Sequence, residues 1–141
     1  MKRFYINVIN DKIKNAALDA ERLLHYESNM MKEIRLKNDW KYSSGTGEEI
    51  YEKFASTTKI VPVFTYRPKW IFSKAIGYYD GKAIHINVRK LPSLSHADIV
   101  ANLCHEYSHA VGYSHGSNYP SDDKNKFSVP YFISSNIEKW L

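Results

Sequence analysis

Residues 105–115 read His-Glu-Tyr-Ser-His-Ala-Val-Gly-Tyr-Ser-His. From this composition, chance gives three histidines, a glutamate and a glycine at those spacings with a probability on the order of 10⁻⁵ per chain, so the pattern needs a physical reason. Ser95 is a good N-cap with Asp98 in the first turn, which predicts a helix running to Val111, just before Gly112. On that helix His105 and His109 lie about 40° apart and one turn along, so both imidazoles reach one ion. Glu106 stands about 100° round from His105, beside the ion and outside its ligand set, where it can take a proton from a water. Gly112 can adopt the left-handed conformation that ends a helix and so brings His115 back towards the other two. Three neutral imidazoles leave a fourth position open, the arrangement of a catalytic zinc site; structural sites close with four ligands, usually including cysteine. The one cysteine, Cys104, points to the other side of His105 from Glu106 and reads as a small buried apolar residue. On the opposite face Val100, Leu103, Tyr107, Ala110 and Val111 are expected to bury the helix against a sheet.

Upstream, apolar residues at 13, 16/17, 20, 23/24, 30/31 and 34 follow helical spacing and predict one long amphipathic helix over about 10–37. Residues 48–55 suit a shorter helix, and the β-branched and aromatic run at 60–66 a first strand. Asp80-Gly81 joins 75–79 to 82–88, a two-residue hairpin signal. In the second arm Ile84, Ile86 and Val88 share one face, and His85 and Asn87 the other. After His115, residues 127–131 read as a compact turn, with a short terminal helix ending at Trp140-Leu141. Together these predict one α+β domain over 1–141: a long N-terminal helix, a small mixed sheet with an antiparallel edge hairpin, and the motif helix.

At His105, Glu106, His109, Gly112 and His115 the chain resembles the metzincin clan of zinc metallopeptidases. The likeness spans eleven residues. It implies three histidine ligands to Zn²⁺, Glu106 as general base, and an antiparallel edge strand, here 75–79, that pairs with an extended peptide across the metal. The clan's methionine turn beneath the zinc has no counterpart, because the methionines are Met1, Met30 and Met31; the segment Phe127-Ser128-Val129-Pro130-Tyr131 stands in its place. That tail is similar to those of short phage and bacterial zincin-like proteins. Some members use a tyrosine beyond the motif as a further ligand or as a donor to the tetrahedral intermediate, which makes Tyr131 a candidate catalytic residue; a tyrosine packed under the site is the alternative.

The chain has 141 residues, 43% of them apolar, 14% aromatic and 25% charged, with net charge +5, which excludes disordered and collagen-like classes. No apolar run is long enough to cross a bilayer, and Met1-Lys2-Arg3 is followed by too short an apolar stretch for a signal peptide, so a cytoplasmic protein with no membrane partner is expected. Lys59, Arg67, Lys69, Lys74, Lys82, Arg89 and Lys90 surround the strands without a recognised nucleic-acid motif, so nucleic acid is not the expected partner. His85 reads as a cleft-rim residue, and His25 and His96 as ordinary surface histidines. Tyr78, Tyr79, Tyr113 and Tyr119 either line substrate pockets or pack in the core. The expected activity is zinc-dependent hydrolysis of a peptide or protein substrate. Two alternatives stay open: a zinc-binding interaction protein without turnover, and a zinc hydrolase acting on a non-peptide bond. The sequence leaves the oligomeric state open.

Overall fold

A computed structural model describes residues 2–70, 73–117 and 123–141. Tyr119 and the segment around Pro120 lie outside the described residues. The chain is α+β. The described residues form five α-helices and a mixed four-stranded sheet of order β1-β2-β4-β3, with β1 (Phe4–Ile6), β2 (Val61–Tyr66) and β4 (Ile84–Asn87) parallel and β3 (Gly77–Tyr79) antiparallel to β4 at the edge. Val61, Val63, Ile84 and Ile86 face the core, as period-2 alternation requires. Among the described residues no helix is long and apolar enough to cross a membrane.

The long helix expected over 10–37 is two helices, α1 (Asp11–Leu23) and α2 (Asn29–Leu36). The cause is visible in the pattern: after Leu23-Leu24 the next apolar pair is Met30-Met31, so the helical stripe loses a step at Glu27. Ser28 then accepts from the Met31 N–H and bonds back to the Leu23 carbonyl, capping one helix and closing the other. After α3 (Gly47–Ser56), β2 follows at the expected place. Strand β1, which the sequence reading left out, has only three residues. It is held through Arg3, whose buried guanidinium donates to the Phe54 carbonyl at 3.0 Å, the Thr57 carbonyl at 2.6 Å and the Tyr107 hydroxyl at 3.2 Å. A cation at the C-terminal end of α3 suits the negative end of that helix dipole.

The motif helix, α4 (His96–Val111), begins with a capping box: Ser95 Oγ accepts from the Asp98 N–H, and the Asp98 carboxylate accepts from the Ser95 N–H. It ends at Gly112, φ 115°, where the Gly112 and Tyr113 N–H groups bond to the His109 and Ser108 carbonyls. Its apolar face is buried as expected, but chiefly against α1 and α5 (Val129–Ser135); it meets the sheet at β3 and β4, and Tyr107 packs edge-on against Phe4 of β1. The expected turn at 127–131 is instead the start of α5, with Ser128 as N-cap and Pro130 in the first turn, where its missing N–H costs nothing. That short helix brings two side chains to the histidines.

Candidate metal centre

His105 and His109 project from one face of α4, and the left-handed turn at Gly112 returns His115 to them, so one donor atom from each ring lies within 4.8 Å of the other two. The Nε2 atoms of His105 and His115 are 3.2 Å apart. Two nitrogens bound at 2.0–2.1 Å to one tetrahedral ion would be about 3.3 Å apart, so the spacing of this pair matches shared ligation of a zinc ion.

The outward-facing ring nitrogens decide which atoms are free to ligate. His109 Nδ1 bonds to the Tyr113 carbonyl at 2.7 Å, and His115 Nδ1 to the Gly116 carbonyl at 2.8 Å. A carbonyl only accepts, so each Nδ1 carries the proton and each Nε2 a lone pair. His105 Nδ1 lies 3.1 Å from Ser134 Oγ on α5, and the Pro130 carbonyl also accepts from that ring. Lone pairs aimed at one another across 3.2 Å repel unless a cation sits between them, and this is the observation that fits a metal to the site. Burial pushes His105 down to about 3, helped by the neighbouring His109 and His115, and burial also lowers His109. Both rings are therefore held in the neutral form that ligates.

Glu106 is 7% exposed, with Oε1 4.0 Å from His105 Nε2. It stands beside the three donors without joining them, as its position on the helix requires. Burial raises its carboxyl to about 7, and the Tyr79 backbone N–H facing it from β3 opposes part of that rise. Tyr131, on α5, brings its ring centroid to 4.7 Å from His105 and 4.5 Å from His115. The structure thus gathers His105, Glu106, His109, His115 and Tyr131 in one place.

Other candidates fall elsewhere. His85 is not part of the cluster: its Nε2 meets Asp80 Oδ2 at 2.7 Å, and its ring stacks between Phe64 and Tyr78. His96 pairs with Asp19 at 2.6 Å, and His25 packs on Tyr26. Tyr113 is buried and stacked on Phe54, a core residue whose carbonyl serves His109. Cys104 is fully buried, its thiol pushed well above the ordinary range, which suits a small apolar residue. A concavity of about 1060 Å³ lies against β1 and α1 at the opposite edge of the sheet and holds none of the three histidines.

Two supporting residues, Ser134 and Asn125, were missed by sequence reasoning, and Pro130 was placed beneath the site without its contact to His105. Ser134 and Pro130 reach His105 only because α5 packs on α4. Asn125, fully buried, accepts from the Gly116 N–H and donates to the Gly116 carbonyl at 3.1 Å, fixing the group that orients His115. Nothing in local sequence marks Asn125; its role exists only once the chain has turned at Gly112.

Glu106 stands beside the sheet edge. Asn87 donates to the Ile76 carbonyl and Asp80 to the Ala83 carbonyl, so even-numbered residues of this stretch bond to β4. Antiparallel pairing alternates, which turns the N–H and C=O groups of Gly77 and Tyr79 away from β4. Among the described residues β3 has no other partner strand. The edge strand expected at 75–79 is therefore an edge, regular over 77–79, with the Asn87 side chain holding the Ala75 carbonyl at 3.0 Å. Compared with family models, curated proteins and solved structures, the chain matches none of them.

Proposed function

We propose that this protein is a zinc-dependent peptidase of metzincin-like type. The observation that carries the reading is the convergence of three Nε2 lone pairs, each ring tied from behind through Nδ1, next to a buried carboxyl that is not one of the donors. His105, His109 and His115 would hold the ion, which when bound supplies Lewis acidity towards a scissile carbonyl.

The remaining steps belong to the chain's own groups. Glu106, beside the three donors and outside their set, accepts a proton from the attacking water at a carboxylate oxygen and returns it to the leaving nitrogen. The Tyr131 side chain, against His105 and His115, donates its phenol O–H to the negative charge that develops on the carbonyl oxygen. The outward backbone groups of Gly77 and the outward carbonyl of Tyr79, whose N–H faces Glu106, hold an extended substrate by main-chain pairing.

The test is turnover on a peptide library, comparing zinc-loaded wild type with Glu106→Ala. The variant should keep its zinc and lose about 10²- to 10⁴-fold in rate. Equal cleavage by both would remove Glu106 from the chemistry. A wild type that binds zinc and cuts no peptide bond would leave a binding protein or a hydrolase of another bond.

A further inference from the structure

Charge is very unevenly distributed along this chain. Residues 57–95, which contain β2, β3 and β4, hold seven lysines and arginines against a single carboxylate, Asp80, a net +6 where the whole chain carries +5. The fold concentrates this further. β2 and β4 are parallel and β3 is antiparallel, so the chain leaving β2, the chain entering β3 and the chain leaving β4 meet at one end of the sheet. Arg67 and Lys69 follow β2, Lys74 precedes β3, and Arg89 and Lys90 follow β4. Arg67, Lys69, Lys74 and Arg89 are exposed, and none of the five ion-pairs with a carboxylate among the described residues. Arg89 Nε donates to the Pro68 carbonyl at 3.3 Å, tying two of the three segments together.

This cationic end continues the open edge. Gly77 lies against Asn102 and Tyr79 against Glu106, so β3 and α4 run in the same direction, from the cations towards the histidines. Lys74 is five residues before Tyr79, roughly 17 Å along an extended chain. Resting on the peptidase reading, we infer that the β3 edge selects an extended peptide carrying a block of acidic residues about four to six positions to one side of the bond that faces Glu106. The partner is set by charge complementarity at the end of a strand edge that is open for main-chain pairing. A single-stranded nucleic acid would use the same cations but would also need free aromatic faces. On this sheet His85 is stacked between Phe64 and Tyr78, centroids 5.7 and 4.9 Å apart with planes within 20°, so its faces are taken; Trp70, exposed beside Lys69, makes an oligothymidylate the necessary control.

The experiment is fluorescence anisotropy on the zinc-loaded Glu106→Ala protein, so that binding is read without cleavage. The probes are labelled twelve-residue peptides with one common centre and four flanking glutamates, placed at either end, against the same peptides with glutamines. At low salt the better acidic peptide should bind about tenfold tighter than its neutral counterpart, with the gap shrinking as salt is raised. The triple variant K69E/K74E/R89E, all at exposed positions, should abolish the preference; K69Q/K74Q/R89Q should reduce it. Equal binding of the two peptides, no binding of either, or a preference that survives charge reversal would overturn the inference. So would a twelve-residue oligothymidylate that binds tighter than the acidic peptide and is lost in the same variant. Cleavage of the acidic peptide by wild type is read separately: preference without cleavage retains the acidic-peptide surface and overturns the peptidase reading.

Discussion

Around the three histidines each ring has an oxygen partner at Nδ1; along β3, beside them, the outward backbone groups of Gly77 and Tyr79 meet little beyond Glu106. The first region is buried at His105 and half-buried at His109 and His115, capped at both ends of its helix and backed by Asn125 and Ser134. The second is a three-residue edge strand held on one side. The difference separates two kinds of work. On the proposed reading, groups that would sit within tenths of an ångström of an ion are held by hydrogen bonds in advance. Groups that would recognise an extended chain lie on an open strand edge, which an incoming backbone would extend.

If the pocket is as fixed as its hydrogen bonds imply, the largest effect comes from removing a donor. His115→Ala should weaken zinc binding by more than about a hundredfold, above the range for loss of a supporting partner, as read by competition with a chromophoric chelator. Unchanged affinity would remove the third ligand. Next comes the support itself: Asn125→Ala frees the Gly116 backbone and should cost about 10- to 100-fold in zinc affinity. If affinity does not move, the His115 ring is held by something other than the Gly116 carbonyl.

The seam between the two regions is Gly77. A Cβ there would lie 2.6 Å from Asn102 Oδ1 and 2.7 Å from the His85 carbonyl. The amide could swing aside, but the carbonyl belongs to the neighbouring strand. Gly77→Ala should therefore destabilise the fold by on the order of 1–3 kcal/mol in urea melts while leaving zinc affinity nearly unchanged. Loss of zinc in that variant would show the two regions to be one cooperative unit. The smallest effect is at the hairpin turn. The Asp80 carboxylate accepts from the Ala83 and Lys82 N–H groups and meets His85, which holds it down to about 2. A depressed carboxyl stabilises the fold fully above about pH 4 and loses that contribution as pH falls through about 2. Amide exchange at Lys82 and Ala83 should quicken across that interval, and Asp80→Asn should flatten the dependence.

These effects follow how the two regions could be read from sequence. The pocket was legible because its geometry is local: Ser95 and Gly112 delimit the helix, and the spacing of His105, Glu106 and His109 fixes their directions on it. The hairpin was legible for the same reason, through Asp80-Gly81, although its turn sits one residue later, at Gly81-Lys82, with Asp80 paired to Ala83. What sequence left out is tertiary. Asn125 and Ser134 act across a chain reversal. Strand β1 is too short for a period to show and depends on Arg3 reaching α3 and α4. Two signals were present and outweighed: the missing apolar step at Glu27, which splits the N-terminal helix, and Ser128 two residues before Pro130, an N-terminal helix signature in what resembled a turn.

The central claim is that one ion sits among His105, His109 and His115. Anomalous scattering at the zinc edge, from crystals of protein purified without added metal, tests it most directly. The account predicts one peak per chain about 2.0–2.1 Å from the Nε2 atom of each histidine, with Glu106 outside bonding distance. A peak elsewhere, ligation through Nδ1, or no peak after soaking in zinc would contradict it.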